Sequence, residues 1–537
     1  MSANMDIERR HQEALELFRR GEIDAAEQRC RAALREARLP GFLHLLGMCQ
    51  LARGCNQEAI ATIQEALRML PTEPLLFHDL GRAYSGVGDW LKAAQAYVKA
   101  IEVDPLRAAN YLYLGPIYEQ VGDLDSAERA YRRALELDPK LATAAASLAS
   151  MYEKANRLEE AERLTATALE QDAGDVIANL TRAQLDHRAG AYTQAAERLQ
   201  GLLGQPLSPW NRAIAGGRLG AAYDKLERYP EAFEAFTLGK RALLDDKLVI
   251  GASGMYSFDA VARVTRHLEA LMTDAPAAGS GPAPVFLVGF PRSGTTLLDQ
   301  ILSSHPRIAV LEERGVLLPA MREFLSDEAG IARLMSLDTA ARDAQQQRYW
   351  QQATQALGQP LEGRLLVDKL PLYTLIMPVI RRLIPEARFI FAVRDPRDVV
   401  LSCFMHSFGL NEAMRHFLTL ESSADYYAAI MDVGIAAMER MPERVLRLDY
   451  EALVDDTETQ AKRLCEFLGV EWEAGMLRFY DTAKKRRINT PSYHQVVQPV
   501  YGSARGRWRR YRTQLAPVLG RLRPYVEYFG YPPDTTD

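Results

Sequence analysis

The residues best suited to chemistry lie in two arginine-bearing segments of the C-terminal half. The first, Val285-Phe-Leu-Val-Gly-Phe-Pro-Arg-Ser-Gly-Thr-Thr-Leu-Leu298, reads as a buried strand that breaks at Gly289 and Pro291. It opens through Arg292-Ser293-Gly294-Thr295-Thr296 into an amphipathic helix beginning near Leu297. A strand, a small-residue loop and a helix N-terminus aim backbone N–H groups and the positive end of a helix dipole at one place, which makes an anion cradle. Gly289 and Gly294 keep the glycine spacing of a nucleotide-triphosphate loop, but Thr295 stands where that loop has its lysine, and the loop's cation is Arg292. Without the lysine that reaches the β- and γ-phosphates, a 5′-phosphate or phosphosulfate is favoured over a magnesium-bound triphosphate.

The second segment, Arg388-Phe-Ile-Phe-Ala-Val393, reads as another buried strand, ending in Arg394-Asp395-Pro396-Arg397-Asp398 and then Val399-Val400-Leu401-Ser402. In a parallel sheet both segments deliver their loops to the carboxyl edge, where ligands bind. Arg394 would then grip a phosphate bidentately, with Ser402 a helical turn or two further on. Taken alone, Arg394 to Arg397 is an ordinary solvated turn with a local ion pair; the first loop gives it a second meaning.

Together these segments resemble the cytosolic and Golgi sulfotransferases, which draw on 3′-phosphoadenosine 5′-phosphosulfate (PAPS) and release the 3′,5′-bisphosphate (PAP). The likeness covers about residues 284–530 and is similar above all to tyrosylprotein sulfotransferases and to bacterial proteins that fuse tetratricopeptide repeats to such a domain. It implies that Arg292, Ser293, Gly294, Thr295 and Thr296 hold the 5′-phosphosulfate, and that Arg394 and Ser402 hold the 3′-phosphate. The family's following helix, His-Pro and acidic pair correspond to Leu297–Ser304, His305-Pro306 and Glu312-Glu313, which puts Glu313 at the catalytic base. Lys369, in Leu365-Leu-Val-Asp-Lys369, matches the family lysine, and Ser492, before Gln495-Val496 and Pro499-Val500, matches a family serine. Tyr450 resembles a nucleotide-touching tyrosine, and Arg507-Trp508 stands where the tyrosyl enzymes have Lys-Trp. One departure is Arg314-Gly315, where those enzymes have Thr-Arg: the arginine that reads acidic residues around the acceptor is displaced.

These residue types suit sulfuryl transfer. By analogy with phosphoryl transfer, a loose in-line transition state leaves the protein to position and to stabilise charge. Glu313 would take the acceptor proton. Lys369, Ser492 and Arg292 would stabilise the bridging oxygen as it leaves, and no metal is required. The plainer alternatives are that Glu313 caps a loop, Lys369 is a surface lysine beyond a strand, and Ser492 is a turn residue.

The N-terminal half must be a different kind of element. Gly47, Gly81, Gly115 and Ala149 fall 34 residues apart, as do Ala59, Ala93, Ala127 and Ala161, and Ala66, Ala100, Ala134 and Ala168. Pro71, Pro105 and Pro139 close the units and Tyr84, Tyr118 and Tyr152 share one more position. This is the tetratricopeptide period. Weaker copies near 6–39, 176–209 and 213–246 (Gly220, Tyr223, Ala232, Phe236) bring the expected total to about seven helical hairpins in an α-solenoid with a concave face. Such a face binds a peptide acceptor or a partner; a spacer or homodimer element is the plainer alternative.

The expected organisation is therefore an α-helical tetratricopeptide solenoid over 1–246, a capping helix and linker over 247–283, and an α/β P-loop-like sulfotransferase domain with a parallel sheet over 284–537. Pro, Gly and Ala dominate 274–284, and strands are expected near 285–290, 364–368, 388–393 and 444–448. A net charge of −5 gives no general pull toward nucleic acid, and the basic runs at Lys484–Arg487 and Arg505–Arg512 read as solvated faces or as an anionic-cofactor rim. Five cysteines without metal spacing fit a reducing compartment. No membrane-length apolar run and no apolar signal core are seen, so the expectation is a cytoplasmic protein without membrane partners. Two rival readings are a P-loop kinase or nucleotide hydrolase with Asp368 as the metal-holding aspartate, and a scaffold without turnover.

Overall fold

A computed structural model of the protein describes residues 2–244, 254–273, 283–409, 411–480 and 505–534, with side chains from residue 5 onward. The expected pairs of helices recur at the sequence period, as in Pro74–Gly86 with Trp90–Val103 and Ala108–Val121 with Leu124–Leu137. Pro71, Pro105 and Pro139 each follow a helix, ending at Met69, Val103 and Leu137, which they could not continue. The repeated alanines Ala93, Ala127 and Ala161 are completely buried where two helices meet. A β-carbon at Gly81 would lie 2.8 Å from the Tyr97 ring, and one at Gly220 would lie 2.7 Å from Phe236, so glycine is what lets each pair close on its aromatic.

The chain divides into two units, Met1–Pro206 and Leu207–Asp537. Six helical hairpins fill the first among the described residues. Side chains a repeat apart tie their successive first helices together: His44 to Asp79 at 2.8 Å, His78 to Asn110 at 2.9 Å and Thr143 to Asp175 at 3.1 Å. A seventh hairpin, Pro209–Lys225 with Tyr229–Leu244, belongs to the second unit despite keeping the Gly220–Phe236 contact. The helices Phe258–Arg266 and Leu268–Thr273, in the stretch expected to cap the repeats, pack against Leu420–Arg440 and Met377–Leu383 in that same unit.

The second unit is built on a wholly parallel sheet of five strands: β1 Val285–Gly289, β2 Ile308–Glu312, β3 Leu365–Lys369, β4 Arg388–Val393 and β5 Val445–Asp449. Their order is β2-β3-β1-β4-β5. Every residue of β1 is buried, as a central parallel strand with helices on both faces requires. Val285 and Leu287 join Ile301, Val310, Val367 and Ile390 on one face, while Phe286 stacks on Phe389 at 5.8 Å and meets Tyr349 and Tyr373 on the other. Strand β2 is absent from the sequence expectation. Its apolar run, Ile308-Ala-Val-Leu311, is short and leads straight into the acidic pair, so it passes for a connection.

Candidate active site

All five strands point their carboxyl ends at one edge of the sheet, and each contributes a residue there. The register pairs Gly289 of β1 with Ala392 of β4, so the loops that follow these strands are neighbours. The loop after β1 enters the helix Thr295–Ser303, two residues earlier than the sequence pattern suggests, with Gly294 in the left-handed region at φ 95° as its N-cap. A β-carbon on Gly294 would also sit 2.6 Å from the Tyr450 ring, which follows β5. Arg292 takes the same left-handed region at φ 73°, a conformation that strains a side-chain-bearing residue and is met most often at functional sites. From the opposite side of the loop, the Thr374 hydroxyl accepts from the Gly289 N–H at 2.9 Å and donates to the Gly289 carbonyl at 2.8 Å.

Arg292 and Arg394 belong to one cluster. Arg394 Nη1 donates to the Arg292 carbonyl at 3.2 Å, its guanidinium lies 4.9 Å from the Tyr450 ring centre, and Asp398 is 3.7 Å away. Arg292 Nε donates to Ser402 Oγ at 3.0 Å. Ser402 sits on the helix Pro396–Met405, whose Cys403 thiol donates to the Pro291 carbonyl at 3.3 Å. Burial above all holds the Arg292 guanidinium below its ordinary value; Cys403 opposes this, and the charges of Arg394 and Arg507 add smaller depressions. A guanidinium buried beside two others forms a site that gains from an anion. The neighbouring Arg397 is no solvated turn residue. It is buried, paired with Asp395 at 2.7 Å and stacked on Trp508 at 3.9 Å. Asp398 accepts from the Gly506 and Trp508 N–H groups at 2.7 and 2.8 Å, which anchors the segment carrying Arg507. Arg507 itself is held by Asp224, with Nη2 to Oδ2 at 2.9 Å and Nε to Oδ1 at 3.3 Å.

Strands β2 and β3 supply the second group. Register pairs Glu312 with Lys369, so the residue after β2, Glu313, is delivered beside the lysine. Lys369 Nζ lies 2.9 Å from Glu313 Oε1, 3.5 Å from Glu312 Oε1 and 3.8 Å from Asp299 Oδ2. The lysine is fully buried, while the Glu313 side chain keeps 44% of its surface exposed, so the carboxylate can meet an incoming molecule. Burial pulls the Lys369 ammonium down, but Glu313, Asp299 and Glu312 outweigh it and the net shift is upward. Glu313 is also left-handed, at φ 48°.

A cavity of about 380 Å³ opens between the two groups. Arg292, Thr295, Thr296 and Glu313 form its polar side, and Tyr256, Leu318, Leu372 and Phe408 are among its apolar walls. Arg314 also lines it, so an arginine reaches the cavity even though the sequence displaces it by one position. Tyr256, Asp299 and Asp224 carry no motif in the sequence. The one local signal was Asp299, a charged residue on the apolar face of an amphipathic helix. Asp368, considered above as a metal holder, is instead completely buried on the opposite face of β3 beside the Tyr349 hydroxyl at 3.4 Å. Ser492, with Gln495-Val496, Pro499-Val500 and the Lys484–Arg487 run, lies outside the described residues. Among the described residues no group of three or more His, Cys, Asp or Glu is placed to hold a metal ion, and no helix is long and apolar enough to cross a membrane.

Comparison with known proteins bears on both units. Residues 284–474 match a family described as "Sulfotransferase family", and residues 11–74, 78–142 and 118–185 match tetratricopeptide repeat families. An uncharacterized protein of Aquifex aeolicus (strain VF5) is 26% identical over 339 residues, 60% of this chain and 43% of its own length. Protein-tyrosine sulfotransferase 2 of Gallus gallus is 28% identical over 284 residues, 46% of this chain and 72% of its own. Among solved structures, a tetratricopeptide repeat protein from Parabacteroides merdae ATCC 43184 aligns at 20% identity over 44% of this chain and 92% of its own, with a TM-score of 0.37.

Proposed function

We propose that this chain, a sulfotransferase-family domain joined to tetratricopeptide repeats, transfers a sulfuryl group from PAPS to a hydroxyl or amine acceptor, releasing PAP without a metal ion. The observation that carries this reading is the bond from Arg394 Nη1 to the Arg292 carbonyl, which makes the loops after β1 and β4 a single cationic rim. The rim suits an adenine nucleotide with phosphates at both ends. Arg292 to Thr296 and the helix N-terminus would take the 5′ end, and Arg394, Ser402 and Arg507 the 3′ end, with Tyr450 packed against the loop between them. When bound, the nucleotide supplies an activated sulfuryl group. Glu313 accepts the acceptor proton from the cavity side, and the ammonium of Lys369, fixed by Glu312 and Asp299, faces the charge that develops. The cavity walls select the acceptor, for which a protein tyrosine is one candidate in view of the relatives' names. The repeats would present that acceptor or a partner. Ser492, outside the described residues, would join Arg292 at the leaving oxygen.

The test is titration of the full chain with adenosine 3′,5′-bisphosphate without magnesium and with ATP plus magnesium, followed by transfer of radiolabelled donor into fractionated cell extract. Magnesium-independent binding of the bisphosphate and labelling of an acceptor are expected. Preference for ATP with magnesium would instead support the kinase or hydrolase reading, and binding without any labelling the scaffold.

A further inference from the structure

The seventh hairpin has the packing signature of a repeat yet touches the anion-binding elements at two separate places. On its first helix, Asp224 grips Arg507 side-on through Nε and Nη2. The same carboxylate accepts from the Tyr511 hydroxyl at 2.5 Å, and Tyr229 packs edge-on against the Tyr511 ring at 5.3 Å. On the second helix, Lys240 is buried and its Nζ donates to the His406 carbonyl at 2.5 Å. His406 is the C-cap of the helix that carries Ser402, where an ammonium satisfies an orphan carbonyl and favours the negative dipole end. Phe233 reinforces the contact by packing on Phe404 at 5.1 Å. A β-carbon on Gly217 would lie 2.5 Å from Ser407 Oγ, so the approach is as close as the backbone permits.

A carboxylate that is only 11% exposed and a buried ammonium, each bonded to an element of the cationic rim, are costly parts for a spacer, because withdrawing charge from water is offset only by the partners it finds there. We propose that the seventh hairpin is a working part of the nucleotide site, with Asp224 and Lys240 as positioning residues: Asp224 sets the Arg507 guanidinium, and Lys240 holds the helix through which Ser402 meets Arg292. The inference rests on the nucleotide reading above and adds to it that the donor site is shared between a repeat and the sulfotransferase-family domain.

The experiment is a mutant cycle on the full chain, read as affinity for adenosine 3′,5′-bisphosphate, with thermal unfolding as a control. Asp224→Asn is expected to weaken binding about tenfold, as much as Arg507→Ala, and the double variant no further, because two residues that act through one contact are not additive. Tyr511→Phe disturbs the same packing but leaves the ion pair, and keeps wild-type affinity. At the other end Lys240→Met weakens binding, whereas Lys240→Gln, which can still donate to the carbonyl, restores most of it. Wild-type affinity in both Asp224→Asn and Lys240→Met, additive losses in the cycle, or an equal loss in Tyr511→Phe would overturn the proposal. No binding by the unmutated chain would overturn the nucleotide reading itself and this inference with it.

Discussion

Glu313 and Lys369 are tied together twice. The Glu313 N–H donates to the Lys369 carbonyl at 2.8 Å, continuing the β2–β3 ladder by one residue, and the Lys369 ammonium meets Glu313 Oε1 at 2.9 Å. Backbone register therefore sets the side-chain pair. The two residues should respond differently to substitution, because Lys369 is fully buried among opposite charges while Glu313 keeps an exposed side.

Glu313→Gln keeps shape and hydrogen bonding but removes the base, so transfer is expected to fall about 10²- to 10⁴-fold while nucleotide affinity holds. Steady-state rates and bisphosphate titration on the same preparation check this. Turnover equal to wild type would remove Glu313 from the mechanism.

Lys369→Met should cost stability as well as turnover. It leaves Asp299, Glu312 and Glu313 facing one another without their cation, and breaking a buried ion pair costs about 3–5 kcal/mol. Denaturant unfolding should register that loss, and addition of Glu312→Gln should recover part of it.

Arg292→Gly separates strain from binding. Glycine relieves the left-handed backbone at this position, so unfolding stability should hold or rise by up to about 1 kcal/mol. Nucleotide affinity should fall by at least about tenfold as the guanidinium is lost. A thermal shift assay with and without the bisphosphate reads both quantities.

Asp368 gives a pH signature. Burial raises its carboxyl from 3.8 to about 7, only slightly offset by the Tyr349 hydroxyl. The folded chain thus holds a proton that the unfolded chain has released, and stability should fall as pH rises from about 4 to 7, then level off. Asp368→Asn should flatten this slope and raise the melting temperature more at pH 8 than at pH 5. An unchanged slope would show that the side chain ionises without penalty.

Much of the fold and part of the site could be read in advance because the signals are local. The 34-residue period needs only small residues at fixed positions, and the Arg292 and Arg394 loops each follow a strand that announces itself by a continuous apolar run. What escaped the reading is non-local. Asp224 meets Arg507 across most of the second unit's sequence, and Tyr256 reaches the cavity from a stretch with no pattern of its own. The Asp299–Lys369 contact exists only because a helix and a strand far apart in sequence pack side by side. Strand β2 is hidden in the sequence for a different reason: an edge strand of five residues needs little apolar sequence when its neighbour supplies the ladder.

Guanidinium groups crowded at Arg292, Arg394 and Arg507 have a consequence beyond chemistry. Burial of the Arg292 guanidinium beside two others is costly, and any dianion that binds only the folded chain draws it toward its native form by mass action. Resistance of the full chain to proteolysis should then rise on addition of adenosine 3′,5′-bisphosphate.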